Sequence, residues 1–76
     1  MPKIDELWAY IAEEEGPGEE GLCAFLSPDG WVPMTGADKE RMDSLRELAR
    51  GMAKAHGKPI TLVRFSVREE IEAFKP

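Results

Sequence analysis

The chain has 76 residues, 42% hydrophobic and 8% aromatic, with 15 acids against 10 bases for a net charge of −5. So many apolar and aromatic residues argue against a disordered chain, and the length suits one domain near the lower limit for a single unstapled core. The lone Cys23 excludes an internal disulfide, and no apolar run nears the roughly 18 residues of a membrane-spanning helix.

In chain order, residues 4–12 come first. Ile4, Leu7, Trp8 and Ile11 fit one face of a helix, but Trp, Tyr and Ile crowded into Leu7-Trp8-Ala9-Tyr10-Ile11 favour a strand, which we expect here. Gly16-Pro17-Gly18 follows as a loop, flanked by Glu13–Glu15 and Glu19–Glu20 like the two arms of a hairpin. Residues 21–34 read as a second hairpin: an apolar run, the turn Ser27-Pro28-Asp29-Gly30, then Trp31-Val32-Pro33-Met34. Pro33 cannot donate to a ladder, which places that strand at an edge or a bulge. From Ala37 to His56, the spacing of Met42, Leu45, Leu48, Ala49, Met52 and Ala53 predicts one long amphipathic helix. Thr35 and Asp38 are its candidate N-caps, while Gly57 and Pro59 stop it. Ile60–Val67 predicts a strand. Ser66-Val67-Arg68-Glu69 matches a capping box, so a short C-terminal helix carrying Ile71 and Phe74 is expected. The expected fold is therefore α+β: a small antiparallel sheet of about four strands in β-β-β-α-β order, packed on one long helix, with a short C-terminal helix.

Alternation leaves more apolar surface than one helix can cover. If Leu7, Ala9 and Ile11 meet the helix, then Trp8, Tyr10, Cys23, Phe25 and Trp31 form an aromatic second face. Either the terminal helix covers that face, or it is a partner surface, in which case a homodimer through the sheet is expected.

Catalytic chemistry is poorly served. His56, the sole histidine, stands at a helix end with no partner at local spacing, and Cys23 sits in an apolar strand, where thiols are inert. One Cys and one His make no metal cluster, and Gly16-Pro17-Gly18 lacks the Gly-Lys-Ser/Thr of a phosphate loop. No catalytic, cofactor or metal residues are expected, and the chain reads as a non-enzyme. Arg41, Arg46, Arg50, Lys54 and Lys58 are interleaved with acids, so direct nucleic-acid binding is not expected. Acids occupy Asp5 and Glu6, where a signal peptide would have its apolar centre, and a cytoplasmic location is expected.

Charge gives the functional lead. Residues 1–36 hold eight acids and one base, whereas residues 37–76 hold seven acids and nine bases. Such asymmetry speaks to partners more than to fold. The expectation is a small acidic protein-binding module. Anti-CRISPR proteins and DNA mimics, phage-borne inhibitors that block the basic surface of a nucleic-acid-handling protein, are similar in size and charge. That is a likeness of class, carried by no motif. Glu13, Glu14, Glu15, Glu19 and Glu20 would stand in for phosphates, and Trp8, Tyr10, Phe25 and Trp31 would supply the apolar anchor. The alternative is a dimeric structural or assembly subunit.

Overall fold

The computed structural model describes residues 3–14, 16 and 18–76; Glu15 and Pro17 of the expected acidic loop lie outside them. The fold is a small α+β arrangement of antiparallel strands and two helices. Its strands are β1 (Leu7–Glu13), β2 (Glu20–Leu22), β3 (Ala24–Ser27), β4 (Gly30–Pro33), β5 (Thr35–Gly36) and β6 (Ile60–Phe65). The helices α1 (Lys39–Ser44) and α2 (Arg46–His56) lie between β5 and β6.

β1 is the centre of the sheet. β6 runs antiparallel along one of its edges, from Leu7↔Phe65 to Ala12↔Ile60. Two short strands share the other edge end to end: β2 against Ile11–Glu13 and β5 against Trp8–Ala9. Between them the chain leaves the sheet, forms the β3–β4 hairpin, and returns. The exit and re-entry are held by a ring of three backbone hydrogen bonds. Cys23 N–H donates to the Tyr10 carbonyl (2.9 Å), Tyr10 N–H to the Met34 carbonyl (3.0 Å), and Met34 N–H to the Cys23 carbonyl (2.8 Å). One residue of β1 thus faces two residues of the excursion, and no backbone group of the fork is left unpaired. Where a two-stranded hairpin was expected over residues 21–34, four strands run over residues 20–36, each arm being interrupted at the fork. The far turn is as expected. Pro28 presets the turn backbone, the Ser27 hydroxyl donates to the Gly30 carbonyl (2.9 Å), and Gly30 takes φ +118, which a side chain would resist.

The single long helix needs a similar correction. It breaks at Leu45 (φ −97, ψ −3) into α1 and α2. At the break the Met42 carbonyl accepts both the Leu45 N–H (3.1 Å) and the Tyr10 hydroxyl (2.7 Å). Periodicity did not reveal this because Met42, Leu45 and Ala49 are buried on both sides of the break. Asp38 is the N-cap, its carboxylate accepting the Arg41 N–H at 2.8 Å. Thr35 instead belongs to β5, with its hydroxyl buried and unpartnered. Gly57 ends α2 at φ +65, as its position implied.

The faces of the sheet are the reverse of those expected. Tyr10, Cys23, Met34, Met42, Leu45 and Ala49 form the core, with Trp8, Phe25, Met52 and Ile60 packed against it. The helices therefore cover the aromatic set of β1, and the aliphatic set, Leu7 and Ile11, lies on the open side. The reason is chemical. The large Tyr10 ring is buried among the core side chains with its one polar atom paired, the hydroxyl donating to the Met42 carbonyl at the helix break.

The expected terminal helix does not form. After Phe65 the chain is without regular structure, and Val67, Ile71 and Phe74 are 94%, 81% and 87% exposed. A helix of this length is marginal without a surface to pack on.

Candidate partner-binding surfaces

Three features of the surface concentrate chemistry. The first is the projecting hairpin. Leu26 and Trp31 face each other across β3–β4 and are 67% and 71% exposed. Cys23 and Met34 point to the core in the two arms, so alternation carries Leu26 and Trp31 to the side away from the helices, while Phe25 turns inward. Trp is among the side chains most enriched at binding hot spots, and this one is held outward on a tight hairpin.

The second is the open sheet face. Leu7, Ile11, Leu22, Val63 and Phe65 lie on it, and a shallow groove of about 270 Å3 runs between Ile11, Leu22, Val63 and Phe65. Ala9, only 3% exposed, is buried on this side beneath its larger neighbours.

The third is the acidic turn joining β1 to β2. Glu13 pairs with Glu20 across the strands, and Glu14 N–H donates to the Glu19 carbonyl at 2.9 Å. These four carboxylates are exposed at one end of the sheet. The ion pairs among the described residues are Arg46–Asp43, Arg50–Glu47, Arg64–Glu6 and Arg68–Glu70, so none of these involves Glu13, Glu14, Glu19 or Glu20. The Lys58 ammonium comes to this end but donates to the Glu14 backbone carbonyl (2.9 Å). Like charges facing across a ladder are unfavourable, so the turn retains a strong local field.

The structure thus separates the residues expected to act together. Trp31 is exposed on the hairpin, and Glu13, Glu14, Glu19 and Glu20 are exposed at the acidic turn. Tyr10 is 4% exposed and belongs to the core, with Trp8 and Phe25 half-buried against it. Sequence reasoning missed Leu26, although its place opposite Trp31 followed from the two-residue turn. It also missed the open aliphatic face.

A cleft of about 490 Å3 lies beside the end of α2, where buried Cys23 is approached by Glu14, His56 and Lys58. Burial first, and then the Glu14 carboxylate, push the Cys23 thiol above its ordinary value. This disfavours the thiolate a nucleophile needs. Cys23 should therefore react with iodoacetamide at neutral pH roughly tenfold or more slowly than a free thiol; reaction at the free-thiol rate would contradict its burial. The sign of the pH dependence follows. The folded thiol keeps a proton that the unfolded one releases, so its contribution to stability is complete below the unfolded thiol's value and is lost as pH rises through the folded one. On α1, a hydrogen bond from the Arg46 guanidinium holds the exposed Asp43 carboxyl below its ordinary value.

Among the described residues no group of three or more His, Cys, Asp or Glu is placed to hold a metal ion, and no helix is long and apolar enough to cross a membrane. No protein-family model matches the chain, and no curated protein or solved structure matches it either.

Proposed function

We propose that this protein is a small non-catalytic binding module that docks on another protein through the β3–β4 hairpin. The supporting observation is the Leu26–Trp31 pair, held out from the sheet by the hydrogen-bonded fork at Tyr10, Cys23 and Met34. In this reading Trp31 enters an apolar pocket of the partner, and Glu13, Glu14, Glu15, Glu19 and Glu20 steer the approach to a basic surface. A partner with such a surface is a nucleic-acid-handling protein, and occupying it makes the module an inhibitor of the anti-CRISPR or DNA-mimic class. The exposure of Glu13, Glu14, Glu19 and Glu20, which join no ion pair among the described residues, favours this version.

The test compares wild type, Trp31→Ala, and a variant with the five glutamates changed to Gln, each used as bait in extract of the native cell. A partner held by wild type should be lost with the glutamine variant and released by raised salt. Trp31→Ala should weaken it by about 2 kcal/mol, roughly 30-fold. DNA should compete for the captured protein. Binding indifferent to salt and to both substitutions refutes the proposal. The alternative, a dimeric assembly subunit, is favoured by a different observation, an accessible area of 6439 Å2 where a closed monomer of this mass would expose about 4,700 Å2.

A further inference from the structure

The chain exposes far more surface than a protomer of its mass should. Its accessible area is 6439 Å2 at 8.5 kDa, where a self-contained monomer of that mass would expose about 4,700 Å2. Its radius of gyration is 14.4 Å, against about 11 Å for a closed domain of this length. The excess, roughly 1,800 Å2, is about twice what each partner loses in an ordinary interface.

Two apolar surfaces contribute to that excess. One is the open sheet face of Leu7, Ile11, Leu22, Val63 and Phe65. The other is the arm after β6, whose Val67, Ile71 and Phe74 are almost wholly exposed. At steps of four and three residues these side chains share one side of a helix, with Arg68, Glu69, Glu72 and Lys75 around the rest. Arg68 donates to the Ile4 carbonyl (3.4 Å), but residues 68–73 then curve around a hollow lined only by themselves.

We infer that the arm of one chain docks as a helix on the open sheet face of a second copy, which returns its own arm in exchange. The dimensions agree. A helix over residues 67–75 is about 13 Å long and 10 Å wide. The open face is about 13 Å from Leu7 to Ile11 along β1, and about 10 Å across from β6 through β1 to β2 and β5. A second copy suits the arm better than its own sheet, because doubling back over Phe65 needs a tight reversal. Between Phe65 and Lys75 there is no Gly, Pro, Asn or Asp to make one, and Ser66, the one turn former there, is the N-cap of the docked helix. Exchange completes the capping box at Ser66 and Glu69 that the lone chain leaves unused.

The arm and its seat share no residue with the Leu26–Trp31 anchor, so this inference and the proposed function fail separately. Sedimentation equilibrium on the full chain is the test, with Ile71→Asp/Phe74→Asp as the arm variant and Leu22→Asp as the face variant. All substituted side chains are exposed, and circular dichroism should show each variant folded. Wild type should be a dimer, and each variant should raise the dissociation constant roughly 100-fold or more. Mixing the two variants should restore dimer to an intermediate degree, since the face variant's intact arm meets the arm variant's intact face. A monomeric wild type overturns the inference. So does an arm variant that dimerises like wild type, which would point to face-to-face sheet pairing, or a mixture no tighter than its components.

Discussion

Met42→Ala should leave the chain largely unfolded at 37 °C. Met42 is fully buried, and its side chain fills the space between α1 and the sheet beside Gly36. A methionine truncated to alanine in a packed core costs about 2–5 kcal/mol, through lost transfer energy and the cavity left behind. A chain of this length has on the order of 4–11 kcal/mol in all, with small cores at the low end. The described core holds seven buried residues, of which Ala9 and Ala49 contribute little area, so there is scant reserve. Urea unfolding followed by circular dichroism checks the expectation. The midpoint should fall by about 1 M or more, whereas Leu48→Ala, at an exposed position of α2, should cost under about 1 kcal/mol. Loss of less than that from Met42→Ala would mean that the core is not centred on this side chain. Protein concentration must be held fixed, because any dimer adds stability by mass action.

The local signals in the sequence were legible where each needs only its neighbours. Asp38, Gly57 and the Ser27–Gly30 turn act within a few residues, and the structure uses all three. Choices that depend on distant partners were not legible. Alternation sorts β1 into Trp8 and Tyr10 against Leu7, Ala9 and Ile11, but it does not say which set the helices take. That choice is made by contacts across the fold, among them the packing of the Tyr10 ring and a hydrogen bond between residues 32 positions apart. The break at Leu45 is silent in the apolar spacing because the buried positions continue across it, and the hydroxyl that meets it comes from β1. The arm shows the converse. Its capping box is a strong local signal, yet the helix is absent from the lone chain because nothing there receives its apolar side. Of the expected contact residues, Trp31, Glu13, Glu14, Glu19 and Glu20 kept their exposure because they sit at the acidic end of the sheet and on a projecting hairpin. Tyr10 was drawn into the core by the carbonyl that could pair it.

Tyr10 carries the second large effect, and its two substitutions separate hydroxyl from ring. Its backbone N–H and carbonyl hold the fork of the hairpin, while its side chain reaches the break between α1 and α2. Tyr10→Phe removes the bond to the Met42 carbonyl, but that carbonyl still accepts the Leu45 N–H, so no buried acceptor is orphaned. The expected cost is therefore that of an ordinary hydrogen bond, about 1 kcal/mol. Tyr10→Ala empties the space between sheet and helices and should cost about 3–5 kcal/mol, enough to abolish folding in a core this small. Urea midpoints at one fixed concentration give both values. If Tyr10→Phe proves as damaging as Tyr10→Ala, the hydroxyl is holding α1 and α2 at their break, and the ring's packing is secondary. If both are mild, Cys23, Met34 and Met42 hold the fork and the helices without it, and Tyr10 is not the joint between sheet and helix.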